Sequence, residues 1–163
     1  MKKRYILAFF LAAVAGTLLH FLYDWLPVPL VGLFAPVNES VWEHLKLLFW
    51  NVLAAGFVLC RKKPDAQRAW SGFLAALLLM PLGLTGLYYL LAAGFGVTAL
   101  WIDLTLYYLT LAGGFTLAYS MEKSGKWSFL SGVMVLLVGL YGAALILFTL
   151  APPELPIFLP PGA

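Results

Sequence analysis

Long apolar runs, separated by short stretches rich in charge, glycine or proline, dominate this chain. Crossing the roughly 30 Å hydrocarbon core of a bilayer takes about 20 apolar residues in a helix. Five runs meet that length: residues 5–26, 41–60, 69–93, 97–120 and 128–150. The pattern predicts an all-α integral membrane protein, a five-transmembrane-helix bundle forming a single transmembrane domain over residues 1–163. Between the first two runs, Pro27, Pro29, Gly32 and Pro36 break the helix, yet residues 30–34 are too apolar for a solvated loop. A partly embedded outer turn is expected there. Pro81, Gly83 and Gly86 weaken the third helix, where neighbouring helices can satisfy a freed carbonyl. Residues 151–163 carry Pro152, Pro153, Pro156, Pro160 and Pro161, so this tail is expected to run extended over the outer face as a roof.

Composition agrees with the pattern: 63% of the 163 residues are hydrophobic and 10% are charged, against roughly 45–50% and 25% in soluble domains. The basic residues add an orientation. Nine of the ten Lys and Arg fall before the first helix (Lys2, Lys3, Arg4), after the second (Arg61, Lys62, Lys63, Arg68) and between the fourth and fifth (Lys123, Lys126). The positive-inside bias puts those segments in the cytoplasm, with the N-terminus inside and the C-terminus outside a multi-pass protein of the cell membrane. The net charge of +3 is thus a topology signal, and no nucleic-acid partner is implied. Residues 1–15 also resemble a signal peptide ending at Ala13-Val14-Ala15, but the apolar run continues well past that point. The single Cys60 excludes an internal disulfide. Trp25, Trp42 and Trp101 near the outer ends, and Trp70 and Trp127 near the inner ends, fit interfacial belts.

Lys46 is the exception to the charge bias, and it closes a polar run of eleven residues, 36–46, at the head of the second helix. Ionisable groups within a membrane are costly and point to function by default. Ser40-Val41-Trp42-Glu43 is a capping-box sequence, so Ser40 and Glu43 have a structural reading of their own. At about 1.5 Å per residue, His20 lies roughly 9 Å below the outer end of the first helix and Asp103 about 9 Å into the fourth. Asp24 is one turn from His20 on the same face, and Tyr107 one turn inward of Asp103. His20, His44, Asp24, Asp103, Glu39, Glu43 and Lys46 are therefore expected at one level in the outer half of the bundle.

Three chemistries suit that set. His20, His44 and Asp103, with Asp24 or Glu39 as further oxygen donors, would hold a divalent metal such as zinc and activate a bound water. The same groups without metal would work as a coupled acid and base, His20 oriented by Asp24. In the structural reading Lys46 neutralises Glu43 or Glu39, and the cluster pins the helix ends together.

The run Pro36-Val37-Asn38-Glu39-Ser40-Val41-Trp42-Glu43-His44-Leu45-Lys46, followed by Leu47-Leu48-Phe49-Trp50, resembles the signature of an uncharacterised prokaryotic family of small polytopic membrane proteins known only as a domain of unknown function. Residues 148–158 resemble the same family, with Glu154 where that pattern has His and a shortened tail thereafter. The resemblance implies near-complete coverage of the chain and no activity. A looser likeness, at the level of fold, is to intramembrane zinc hydrolases of the ceramidase-like superfamily, which are larger and arrange their His residues differently.

The combined expectation is an outward-facing polar pocket that binds a lipid head group or small polar solute at the outer leaflet, with metal-dependent hydrolysis as its chemistry. In that version His20, His44 and Asp103 hold the metal, Glu39 activates water, Lys46 stabilises negative charge, and Glu43 and Asp24 support them. The alternatives are a proton- or ion-linked small-solute transporter working as a homo-oligomer, and a non-catalytic partner subunit with a buried ion-pair cluster.

Overall fold

The computed structural model describes residues 2–161. Its long helices are α1 (Lys2–Trp25), α3 (Val41–Cys60), α4 (Ala66–Tyr89, prolonged by a π-helical turn at Leu90–Gly94), α5 (Leu100–Ser124) and α6 (Ser131–Leu150). The short α2 (Pro29–Gly32) lies between the first two. Five helices are long and apolar enough to cross a membrane. Their apolar side chains cover the outside as well as the core, with Leu11 on α1, Leu82 on α4, Leu109 on α5 and Leu136 on α6 all exposed, as a lipid environment requires.

α4 is the central element. It packs on α3, α5 and α6, while α1 closes the opposite side against α3 and α5. The α4–α5 contact depends on Gly72, where an added Cβ would stand 2.3 Å from the Ala118 carbonyl oxygen and 2.8 Å from the Ala118 Cα. Small residues at such a crossing let backbones meet. Because backbone cannot swing aside as a side chain can, Gly72→Ala is expected to force the helices apart and lower stability by about 1–3 kcal/mol, measured by SDS-induced unfolding in mixed micelles.

Several elements differ informatively from the sequence reading. α5 extends to Ser124, past the expected end at 120, because Gly125 in the left-handed conformation caps it. That extra turn carries Glu122 into the bundle, 7% exposed. Glu122 accepts from Lys63 Nζ at 2.5 Å and from the Tyr5 hydroxyl, and Lys63 lies 5.1 Å from the Tyr5 ring centroid. The basic end of the bundle therefore has its own partly buried ion pair, which the depth argument missed. The tail is also not wholly extended: Pro156–Phe158 forms a 3₁₀ turn, which the fixed φ of Pro156 at its first position favours. Phe158 is buried against Trp42 and Phe148, at 4.9 and 5.4 Å between ring centroids. Trp42 thus packs into an aromatic cluster, unlike the exposed Trp25 and Trp101.

Candidate functional site

The polar run of residues 36–46 folds into a tight connection whose hydrogen bonds divide into two sets. Asn38 Oδ1 accepts from the Ser40 amide at 2.9 Å, and Ser40 Oγ caps α3 by accepting from the Glu43 amide at 3.3 Å. A complete capping box would return the Glu43 carboxylate to the Ser40 amide. Here Asn38 already occupies that donor, so Glu43 Oε2 reaches further and accepts from the Val37 amide at 2.9 Å.

Glu43 and Lys46, three residues apart on one face of α3, form the first set. Lys46 is 0% exposed. Its ammonium donates to Glu43 Oε2 at 2.6 Å, to the Gly32 carbonyl at 2.6 Å and to the Ala35 carbonyl at 3.3 Å, which uses all three protons. Thr149 Oγ1 on α6 shares its one proton between the Leu145 carbonyl at 2.8 Å and Glu43 Oε1 at 3.1 Å. This buried pair ties together the α2 segment, the start of α3 and the end of α6. Neither side chain lines the hollow that borders the two histidines.

His44 and Glu39 form the second set, turned towards α1. A helix advances about 100° per residue, so His44 leaves the Glu43–Lys46 face and meets His20, their rings 5.1 Å apart. Glu39 Oε2 is 3.4 Å from His44 Nε2, and Glu39 Oε1 is 4.0 Å from His20 Nε2. One donor atom from each of the three lies within 4.8 Å of the others. On the far side of the ring, His44 Nδ1 is 2.8 Å from the Ser40 carbonyl oxygen. That carbonyl takes an Nδ1 proton and aims Nε2 at Glu39. Both ring nitrogens of His44 then face oxygen atoms, an arrangement that suits an imidazolium or a cation between Nε2 and the carboxylate. The hydrogen bond from His44 holds the Glu39 carboxyl below its ordinary value, with partial burial opposing and the charges of both histidines adding.

These three residues border a hollow of about 410 Å³ between α1, α3, α4 and α5, with Pro161 of the tail at its edge. Asp103 lines it from α5, and Leu84 and Tyr88, just beyond Pro81, line it from α4. Most of the wall is apolar. Asp24, the neighbour of His20 by helical spacing, is exposed and outside the lining; the carboxylate that faces His20 comes from Glu39 in the α2–α3 connection. Sequence spacing also gave no sign that Ser40 would orient His44 through its backbone.

A family profile described as "Family of unknown function (DUF6512)" matches residues 1–161. The chain belongs to this family. Membership covers the length that the resemblance of residues 36–50 and 148–158 implied, and with it the helices and connection that bear both histidines of this DUF6512 chain. No curated protein matches it, and neither does any solved structure.

Proposed function

We propose that His20, His44 and Glu39 form a divalent-metal centre at the rim of the hollow, and that the protein hydrolyses an ester in the head region of a membrane amphiphile. The observation that carries this reading is the pinning of His44 by the Ser40 carbonyl, which presents Nε2 to a carboxylate beside a second imidazole. Two imidazoles and one carboxylate are the donor set of catalytic zinc sites that keep a position open. Ligand atoms around zinc at about 2.0–2.1 Å stand closer together than the 4.8 Å spread here, a contraction within reach of side-chain rotation because Glu39 is exposed.

A zinc ion so held would supply a polarised water near neutral pH. Asp103, which lines the same hollow from α5, would serve as the proton acceptor during attack on the ester and would hand that proton to the departing alcohol as the ester C–O bond breaks. Glu43 and Lys46 take no part, since their polar atoms are engaged with each other, with backbone and with Thr149. Elemental analysis and zinc titration of EDTA-treated protein test the centre, with one equivalent bound per chain expected. A chain that takes up no divalent ion would make Glu39–His44 a structural ion pair and end this reading.

The orientation proposed with it puts the basic end in the cytoplasm and the hollow towards the external leaflet. Cys60 is fully buried and should be silent to labelling. Glu154→Cys should react with an impermeant maleimide in intact cells, and Lys126→Cys only after permeabilisation; the opposite pattern would invert the topology.

A further inference from the structure

A groove of about 640 Å³ runs between α3, α4 and α6, and it shares no lining residue with the hollow beside the histidines. Its walls are apolar over most of their length, with Trp50 and Leu53 from α3, Leu74 from α4, and Val135 and Val138 from α6. The groove ends where α3 meets α6 at Phe49, whose ring would stand 2.8 Å from a Cβ at position 142. Only glycine there lets the ring come so close to α6. Further along, Thr149 holds the same two helices together through Glu43. In the other direction, towards the basic end, the groove opens between them.

The length of the groove selects its occupant. Gly142 and Ser131, the first residue of α6, both line it and are eleven residues apart, about 16 Å along the helix. That is the depth of one leaflet, half of the roughly 30 Å hydrocarbon core. A spanning helix of another protein needs the full thickness. An acyl chain needs only its own leaflet.

The charge at the mouth selects the head group. Gln67 and Ser131 line the groove at the basic end, where Gln67 Nε2 donates to the Ser128 carbonyl at 3.0 Å. Arg61 and Lys62, in the connection from α3 to α4, and Lys126, in the connection from α5 to α6, are exposed and join no salt bridge among the described residues. Their neighbours are committed elsewhere: Lys63 to the Glu122 carboxylate, and Arg68 to the Glu122 and Lys123 carbonyls. The one acid in these two connections, Asp65, caps α4 by accepting from the Arg68 amide. The mouth is therefore left with a surplus of positive charge.

We infer that this groove seats one acyl chain of an anionic phospholipid from the leaflet at the basic end, its head group held by Arg61, Lys62 and Lys126. The chain fills the gap between α3 and α6 and braces the two helices against each other. The site is separate from the metal centre proposed above and stands or falls without it.

Native mass spectrometry of the full-length protein in detergent, with dioleoyl phosphatidylglycerol and dioleoyl phosphatidylcholine as probes, tests this. Wild type should retain one phosphatidylglycerol at least about tenfold more tightly than phosphatidylcholine, since each basic residue near an anionic head group contributes several-fold. Gly139 lines the groove, and a Cβ there meets nothing within 4 Å, so Gly139→Leu fills the space without a clash. It should weaken both lipids by about tenfold or more. Gly113→Leu, on α5 away from the groove and equally free of clashes, should leave both unchanged. Arg61→Gln/Lys126→Gln should remove most of the preference for phosphatidylglycerol. Equal retention of the two lipids by wild type overturns the inference, as does a folded Gly139→Leu that holds phosphatidylglycerol as wild type does. A wild-type dimer that retains no lipid and that Gly139→Leu splits would give the groove to a second copy and overturn it equally.

Discussion

Lys46→Met is expected to destabilise the bundle by about 3–5 kcal/mol, the cost of breaking a buried ion pair from one side. The substitution nearly preserves side-chain length, so the effect is electrostatic rather than a cavity. It leaves the buried Glu43 carboxylate with the Val37 amide and the Thr149 hydroxyl but no countercharge, and strips the Gly32 and Ala35 carbonyls of their shared donor. The double variant Glu43→Gln/Lys46→Met should recover part of that loss, because no charge is then stranded. Recovery should be incomplete, since the two carbonyls remain without the ammonium. SDS-induced unfolding of the four proteins in a double-mutant cycle measures the coupling. Single variants as stable as wild type would show that the pair does not hold the α2 segment in place.

His44→Ala is expected to lower zinc affinity at least about 100-fold while leaving the fold intact, with His20→Ala close behind. Both imidazoles sit at the rim, and neither supports the α2 segment or α6. Magnitudes of that order already follow from losing outer-shell partners of metal ligands, and removing a ligand costs more. Zinc binding should also weaken as pH is lowered, because ligands must shed their protons to bind metal. Glu39 is not the limiting group. Its carboxyl is held below the ordinary value, chiefly by the hydrogen bond from His44, so it stays ionised as pH falls through the usual carboxylate range and is neutralised only at the lower, folded value. Zinc titrations between pH 5 and 8 on wild type and Glu39→Gln separate these contributions. Unchanged affinity in both histidine variants would remove the metal centre.

The five spans were legible because lipid-facing and buried positions are alike apolar, so run length alone marks them. The gathering of His20, His44 and Asp103 around one hollow was also legible, since depth follows from counting along a helix. Counting along helices fails where a partner comes from elsewhere. Helical spacing offered Asp24 to His20, whereas the fold brings Glu39 from a connection whose path depends on Asn38, Ser40 and the Lys46 ammonium acting together. Glu122 was missed for a related reason: a helix end misjudged by one turn moves a carboxylate from a loop into the bundle. The division of residues 36–46 into a locking face and a hollow-facing one was implicit in the spacing of Glu43, His44 and Lys46, but its sense depended on knowing which side α1 occupies.

The bond from Thr149 to Glu43 joins residues 106 apart in sequence, and that separation has a consequence for biogenesis. The early spans leave the ribosome and enter the bilayer well before α6 is made, so one oxygen of Glu43 waits for a partner that arrives only with α6. Until then Lys46, three residues along the same helix, is the neutralising partner of that carboxylate, so the last span docks onto a charge pair that its own helix can already form.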